Sequence, residues 1–222
     1  MINSKLILIE GLPGGGKSTS SHYLGTVFQR CGIVCDCFLE DDDPHPIPCL
    51  DFEIKGLTQK TIPLWRTFAE RAAQESKVTI IESRLWQNTA LFMLMSNVGV
   101  DEIVDFNQQT GKALDMLSPA LIYLDQPDVD SALYRMASIR GDDWIKSTLR
   151  DTIDYPWFKS RGIHDFDGWV SFFEEWHSVV ELLFNDWPFR KTRILNPHDD
   201  WTGAYKKMHT FLQVDYNPDS AA

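Results

Sequence analysis

The sequence has few of the residues that build metal centres or disulfide frameworks, and it has no long apolar run. Its four cysteines and six histidines do not have the spacing of a zinc site. Cys35 and Cys37 alternate along a predicted strand and could be neighbours, but small buried thiols in a reducing compartment fit this pattern better. Because no apolar run is long enough for a membrane span or a signal peptide, we expect a cytoplasmic protein.

Basic residues are also few in comparison with acidic ones. There are 21 Lys and Arg against 32 Asp and Glu, which gives a formal net charge of −11. Such a surface repels nucleic acids and anionic lipid headgroups, so we expect neither nucleic acid nor a membrane as a partner. A small anionic ligand remains compatible with this charge, because a local cluster of Lys and Arg can oppose it. The length of 222 residues predicts one domain, residues 1–222.

Short apolar runs alternate with amphipathic stretches along the chain. We expect strands at residues 5–10, 33–39, 78–81, 120–124 and 192–195. Helices are predicted at residues 17–30, 63–74, 85–97, 101–117, 129–139, 169–184 and 200–212. This alternation is typical of an α/β three-layer sandwich around a five-stranded parallel sheet, which binds its ligands at the carboxyl ends of the strands. Residues 140–168 are predicted to form a mobile lid or insert.

One segment has a specific chemical signature. Residues 11–18 read Gly-Leu-Pro-Gly-Gly-Gly-Lys-Ser, a match to GxxxxGK[ST], between an apolar strand and an amphipathic helix. Glycines let successive backbone N–H groups face a phosphate, and the helix N-terminus adds a partial positive charge. The lysine of this motif reaches the β- and γ-phosphates, and its hydroxyl residue binds Mg²⁺. The predicted triphosphate-binding residues are Gly11, Gly14, Gly15, Gly16, Lys17, Ser18 and Thr19.

Motifs that would assign the triphosphate to a switch or a transporter are absent. The chain has no Asn-Lys-x-Asp motif of guanine-nucleotide switches and no LSGGQ signature of transport ATPases. What remains is a small P-loop kinase, which transfers the γ-phosphate to another small molecule. No base-reading motif separates ATP from GTP.

The order of shorter motifs resembles that of thymidylate kinases and deoxynucleoside kinases. Those families place an acid after the second strand, and an acid and an arginine after the third, followed by an Arg-bearing helix and a lid. The matching residues here are Glu40, Glu82, Arg84 (one position later than in the families), Arg135 and Arg140. The resemblance implies the sheet order 2-3-1-4-5 and a helical lid. Because relatives dimerise through the helices after the second and third strands, the resemblance also makes a homodimer possible.

The resemblance implies catalytic roles for Glu82, Glu40 and Arg140, each of which has a simpler structural alternative, and the phosphate motif implies one for Lys17. Glu82 would hold Mg²⁺ together with Ser18, or would orient the attacking hydroxyl; otherwise it is a solvated strand-end acid. Glu40, or Asp41 in its place, would accept the proton of the acceptor; otherwise both belong to a solvated charge run. Lys17 and Arg140 would neutralise charge on the transferred phosphate, although Arg140 could equally be an ordinary helix-surface arginine.

Other residues are expected to contact the two substrates. Arg135 and Asn196 are assigned to the ATP side. The candidate acceptor-binding residues are His45, Arg84, Trp86 and Gln87, for which an ion pair or a place in the core is the simpler reading. Asp125, at the end of the fourth strand, is expected to be a structural acid or an N-cap.

These observations predict an ATP- and Mg²⁺-dependent kinase that phosphorylates a hydroxyl or phosphate of a small molecule. A nucleoside or nucleotide is the first candidate acceptor, and an antibiotic or another metabolite hydroxyl is the second. A non-catalytic nucleotide-binding regulatory protein is the alternative from another class. Residues 41–60 and 142–167 match neither kinase family, so the sequence does not identify the acceptor.

Overall fold

Residues 3–48 and 56–215 are described by a computed structural model. Five strands in this range form one parallel sheet in the order β2-β3-β1-β4-β5, which confirms the predicted order. The strands are β1 (Leu6–Gly11), β2 (Cys35–Phe38), β3 (Val78–Glu82), β4 (Ala120–Asp125) and β5 (Arg190–Leu195). In chain order, the α-helices are α1 (Lys17–Arg30), α2 (Leu57–Gln74), α3 (Leu91–Met95), α4 (Val100–Leu114), α5 (Val129–Arg140), α6 (Asp142–Thr152), α7 (Pro156–Arg161), α8 (Phe166–Asp186) and α9 (Trp201–Leu212).

The central strands are apolar on both faces because helices cover both sides of the sheet. Phe28 of α1 and Met208 of α9 lie in the hydrophobic cluster of one face. Trp65 of α2, Phe106 of α4 and Trp176 of α8 lie in the cluster of the other face. This arrangement is the predicted three-layer sandwich.

The register of the sheet brings polar strand ends to one edge. Ile9 of β1 pairs with Glu82 of β3, and Gly11 pairs with Leu124 of β4. Because the strands are parallel, their carboxyl ends all face the same side. The phosphate motif, the acids after β2 and β3, and the segment after β4 therefore meet there.

The helix predicted over residues 85–97 is instead a π-helix, Leu85–Ala90, followed by α3. In a π-helix the N–H of residue i+5 donates to the C=O of residue i, and such short wide turns are frequent at functional sites. The helix predicted over residues 101–117 likewise ends at Leu114 and continues as a 3₁₀ turn, Asp115–Leu117. Apolar spacing does not distinguish these helix types over one or two turns.

The predicted lid or insert over residues 140–168 has two parts that differ in packing. Gly141, at φ 81°, separates α5 from α6. No residue of α6, all of which the structure describes, is buried. In α7, by contrast, Trp157 and Phe158 are buried and lie 5.0 and 5.1 Å from the Phe172 ring of α8. Mobility therefore stays a prediction for α6, whereas α7 is part of the core.

Within residues 3–48 and 56–215, none of the helices combines the length and the apolar content needed to cross a membrane.

Candidate functional site

The phosphate motif forms a tight loop between β1 and α1. Gly14 and Gly16 have φ values of 75° and 86°, which glycine adopts at little cost, and the N–H of Gly15 donates to Leu12 O at 3.0 Å. No described side chain caps the N-terminus of α1, so its first N–H groups have no partner of this kind. The loop thus presents backbone donors and a helix dipole to one point, the geometry of an anion site.

Lys17 lies inside this loop and is almost fully buried. Its Nζ donates to Leu12 O at 2.9 Å. Burial lowers the pKa of the Lys17 ammonium, and the carboxylates of Glu40, Glu82 and Glu10 oppose that shift. The ammonium is therefore held where a triphosphate on the loop would meet it.

Glu82 is the point where three segments meet. The Ser18 hydroxyl donates to Glu82 Oε1 at 3.1 Å, and the Ser83 hydroxyl donates to the same oxygen at 3.0 Å. The backbone N–H of Glu40 donates to Glu82 Oε2 at 3.2 Å. Glu82 is 3% exposed, so the simpler reading of a solvated strand-end acid does not fit. A hydroxyl beside a carboxylate is the oxygen donor set that Mg²⁺ takes in proteins.

Glu40 is held by the π-helix. Gln87 Nε2 donates to Glu40 Oε2 at 3.2 Å, and Asn88 Nδ2 donates to Oε1 at 3.4 Å. Burial raises the pKa of the Glu40 carboxyl, while the nearby Lys17 lowers it. Glu40 is therefore a positioned acid. Asp41 and Asp42, which follow it, are exposed, although Asp42 Oδ2 accepts the N–H of Leu39 at 2.7 Å.

A cavity of about 580 Å³ lies over the phosphate loop. Its walls combine the loop and α1, the segment after β2, the ends of β3 and α5, the π-helix, and the start of α9 with the turn before it. The lining residues are Pro13, Gly14, Gly16, Lys17, Ser18, Thr19, Leu39, Glu40, Asp41, Asp42, Glu82, Gln87, Arg140, His198 and Trp201. The predicted residues Lys17, Ser18, Glu40, Glu82, Gln87 and Arg140 are thus brought together.

A second cavity of about 420 Å³ adjoins the first along α5. It shares Gly14, Arg140 and His198 with the first cavity, and Arg135 and Asp199 also line it. The two cavities together form a cleft that runs from α5 across the phosphate loop to the Glu40 segment.

Two predicted acceptor-binding residues lie behind the cavity wall. Arg84 is 3% exposed, and its guanidinium donates to the backbone carbonyl of Glu40 at 2.7 Å. His45 Nδ1 accepts the N–H of Ile47 at 2.9 Å, and burial lowers the pKa of the imidazole to about 4. Neither side chain lines the cavity over the loop. The predicted direct contacts of Arg84 and His45 with the acceptor therefore do not fit the structure, because both residues support the segment that carries Glu40.

Trp86 and Asn196 also differ from their predicted positions. Trp86 is 1% exposed, and its Nε1 donates to Asn107 Oδ1 at 2.9 Å, so it belongs to the core. Asn196 is exposed at φ 44°, and its N–H donates to Asp125 O at 2.8 Å. The residues of this loop that line the cleft are His198 and Asp199 instead.

Asp125 is a structural acid, as expected, but it is not an N-cap. Its carboxylate accepts from His177 Nε2 at 2.9 Å and from the Arg193 guanidinium at 3.2 Å, while Asp128 caps α5. One ligand atom each of Asp125, His177 and Glu181 lies within 4.8 Å of the others. The Arg193 guanidinium also donates to Glu181 at 2.7 Å. The positive charge of Arg193 therefore already balances these two carboxylates, in the place of a metal ion.

Sequence analysis missed Glu10, which lies just before the loop. Its carboxylate is 1% exposed and accepts the N–H groups of Leu85 at 2.9 Å and Gln87 at 3.2 Å. Glu10 therefore caps the π-helix from the neighbouring strand. Burial raises its pKa to about 7, against the hydrogen bonds and Lys17, which lower it. A carboxyl group at the end of a buried strand was the available signal.

Trp201 was also missed, because nothing in the sequence marks it. Its ring lies against Gly16 so closely that a Cβ on Gly16 would overlap it. His198 Nε2 lies 2.8 Å from Gly14 O, at hydrogen-bond distance. The start of α9 and the turn before it thus hold the phosphate loop from outside.

No protein-family model and no curated protein sequence matches the chain. Among solved structures, deoxyadenosine kinase from M. mycoides with bound dATP is 16% identical over 92% of this chain and 98% of that one, with a TM-score of 0.50. The fold is of the P-loop kinase type. The YorR protein of Bacillus subtilis in complex with phosphorylated GDP is 13% identical over 96% of this chain and 99% of that one, with a TM-score of 0.49. Thymidylate kinase from Ehrlichia chaffeensis is 14% identical over 95% of this chain and 98% of that one, with a TM-score of 0.47. At these identities the similarity establishes the fold alone.

Proposed function

We propose that this protein is an ATP- and Mg²⁺-dependent kinase that phosphorylates a small molecule. The observation that carries the proposal is the meeting of Ser18, Glu82 and Glu40 beside Lys17, on the floor of one cavity. A phosphate loop alone would serve a binding protein equally well. A positioned acid that lines the same cavity can orient the hydroxyl of an acceptor for transfer.

The donor nucleotide would occupy the cleft from α5 to the loop. Arg135 and His198 border the part that would take the base, and the backbone N–H groups of the loop would bind the phosphates. Lys17 and Arg140 would neutralise charge on the transferred group. Ser18 and Glu82 would hold Mg²⁺, which when bound neutralises charge on the β- and γ-phosphate oxygens.

The acceptor would enter from the side of Glu40. Its hydroxyl would donate a hydrogen bond to the Glu40 carboxylate, which Gln87 and Asn88 orient. Phosphoryl transfer depends mainly on position and charge, so Glu40 would contribute through alignment as much as through proton transfer. Closure of α6 over the cleft would exclude water and limit loss of ATP by hydrolysis.

A nucleoside or nucleotide is the first candidate acceptor, because a deoxyadenosine kinase shares this fold. An antibiotic or another metabolite with a free hydroxyl is the alternative acceptor. A cytoplasmic location and a homodimer belong to the same proposal.

An acceptor screen coupled to ADP release tests the function. The protein would be incubated with Mg·ATP and a library of nucleosides, nucleotides, aminosugars and other hydroxylated metabolites. We expect at least one compound to raise ADP release about tenfold or more above the rate without acceptor. Glu40→Gln should lower that acceptor-dependent rate by about a hundredfold, the upper part of what a positioned base supplies.

Glu174→Gln, an exposed change of the same type on α8, is the matched control and should keep the wild-type rate. A wild-type rate that no compound raises would contradict the proposal and favour a nucleotide-binding regulatory protein. An acceptor-dependent rate that Glu40→Gln leaves unchanged would remove Glu40 from the chemistry but leave the kinase assignment.

A further inference from the structure

Arg140 lies where the two cavities of the cleft meet. It lines both of them, as does Gly14 of the phosphate loop. Its positive charge also reaches the lysine of that loop, because burial lowers the pKa of the Lys17 ammonium and the nearby Arg140 guanidinium lowers it further. In the proposed function, the Arg140 guanidinium therefore faces the phosphates of the donor nucleotide.

The Arg140 side chain lies over an aromatic ring of the next helix. Arg140 Cζ is 5.2 Å from the centroid of the Trp144 ring of α6, within the distance at which a guanidinium is attracted by the negative face of an indole. No hydrogen bond or ion pair joins this guanidinium to any other residue that the structure describes. Arg161 and Arg193 also lie over aromatic rings, but each of them is paired with a glutamate as well. In the described part of the chain, the Trp144 ring is therefore what orients Arg140.

This kind of contact leaves the hydrogen-bond donors of Arg140 available. An ion pair with a carboxylate would occupy the N–H groups of the guanidinium, whereas the attraction between its charge and a ring face needs none of them. The planar fork of N–H groups can then bind two oxygens of one phosphate group. Arg140 is thus oriented before a nucleotide arrives and does not have to give up an acidic partner to bind it.

The Trp144 ring is in turn held by α8. It packs edge to face against Phe166 and Trp169, with 6.3 and 5.9 Å between the ring centroids. Trp169 is buried, so these contacts connect the ring to the core of the domain. No residue of α6 is buried, and Gly141 at φ 81° separates this helix from α5. The place of the Trp144 ring therefore depends on how α6 lies against α8.

We propose that Trp144 is a positioning residue, which holds Arg140 for contact with the phosphates of the donor and so couples the docking of α6 on α8 to phosphate transfer. The inference rests on the proposed kinase function and adds a residue that acts on it through another. Arg140 lines the cleft, whereas Trp144 lines neither of its two cavities. Displacement of α6 from α8 would leave Arg140 without its ring, while the phosphate loop itself would be unchanged.

A double-mutant cycle on acceptor-dependent ADP release tests this inference. Trp144→Leu removes the aromatic face but keeps an apolar side chain, Trp144→Phe keeps an aromatic face, and Arg140→Met removes the cation. We expect Trp144→Leu to lower kcat/KM about fivefold and Trp144→Phe to lower it less than about twofold, the range of an exposed cation–π pair. Arg140→Met should lower kcat/KM about a hundredfold, and adding Trp144→Leu to it should have almost no further effect.

Leu149→Ala is the matched control for the packing of α6, because Leu149 packs against the core from the same helix and has no ring to place over Arg140. We expect this change to lower the unfolding free energy in urea but to keep kcat/KM within about twofold of wild type. A loss of kcat/KM in Leu149→Ala equal to that in Trp144→Leu would assign the effect to helix packing and overturn the inference. Equal losses for Phe and Leu at position 144 would overturn it as well.

The same cycle on binding needs no acceptor. Calorimetry with tripolyphosphate and Mg²⁺ should show affinity about fivefold weaker in Trp144→Leu than in wild type, and no such difference in the Arg140→Met background. Coupling between the two positions in either measurement supports the inference, and independent effects in both overturn it.

The failure of this inference is distinguishable from the failure of the proposed function. Coupling in binding together with an acceptor screen that finds no substrate would support the role of Trp144 and contradict the kinase function. Acceptor-dependent turnover with independent effects of the two residues in both measurements would leave the kinase function and remove Trp144 from it.

Discussion

The Ser18 hydroxyl donates to the Glu82 carboxylate with 3.1 Å between Oγ and Oε1, which joins the first turn of α1 to the end of β3. The same carboxylate accepts the backbone N–H of Glu40 at 3.2 Å. One buried side chain thus contacts the proposed metal ligand on one side and the proposed acceptor segment on the other. The site is assembled from three separate stretches of chain through this group.

Glu82→Gln should separate the metal role of this carboxylate from nucleotide binding. The amide keeps the size and some hydrogen bonds of Glu82 but lacks the charge that favours Mg²⁺. We expect Mg²⁺-dependent turnover to fall about a hundredfold, while ATP affinity without Mg²⁺ stays within threefold of wild type. ADP release measures the turnover, and calorimetry measures the ATP affinity with and without Mg²⁺. A similar loss of affinity in both conditions would mean that Glu82 supports the loop alone.

Gly16→Ala should lower the unfolding free energy by more than the positive φ of Gly16 alone explains. Gly16 and Gly32 both have positive φ, 86° and 70°, but a Cβ on Gly16 would overlap Trp201, whereas one on Gly32 meets nothing within 4 Å. We expect Gly32→Ala to cost about 1 kcal/mol in unfolding free energy and Gly16→Ala about 1–2 kcal/mol more. Urea unfolding measures both, and Trp201→Ala should remove the excess. Equal costs for the two glycines would contradict the close packing.

Glu10 should make the stability of the protein depend on pH. Its folded pKa of about 7 is above the usual 4.5, because burial favours the protonated form. The folded protein holds this proton more tightly than the unfolded chain, so the contribution of Glu10 to stability is complete below pH 4.5 and is lost as pH rises through 7. Relative to Glu10→Gln, the wild type should lose up to about 3 kcal/mol between pH 5 and 8.

Urea unfolding of both proteins at half-unit pH steps measures this difference. A difference in unfolding free energy that stays constant from pH 5 to 8 would show that the Glu10 carboxyl titrates at its ordinary pKa in the folded state.

Sequence patterns predicted the fold well because the strands that matter are buried on both faces. Runs such as Leu6–Gly11 and Ala120–Asp125 are continuous apolar segments that end in polar residues. The order and the ends of the strands could therefore be compared with those of thymidylate kinases and deoxynucleoside kinases. The phosphate loop was predictable for a different reason, since its backbone angles require glycine at fixed positions.

The acceptor side was less predictable because local geometry decides which side chains face the cavity. Arg84 and Trp86 follow β3 directly, yet both point into the protein. The π-helix directs Gln87 and Asn88 to Glu40, and its extra width leaves no mark in the spacing of apolar residues. Trp201 is distant in sequence from the loop that it covers, and only the packing of α9 brings it there.

Transfer of label from [γ-³²P]ATP to a small molecule decides whether this cavity is a kinase site, with wild type and Lys17→Ala compared in the presence of Mg²⁺ and a metabolite extract. We expect a labelled product other than inorganic phosphate with the wild type, and about a hundredfold less of it with Lys17→Ala. Label that appears only as inorganic phosphate with the wild type, or an equal yield of product from both proteins, would contradict the assignment of this cavity as a kinase site.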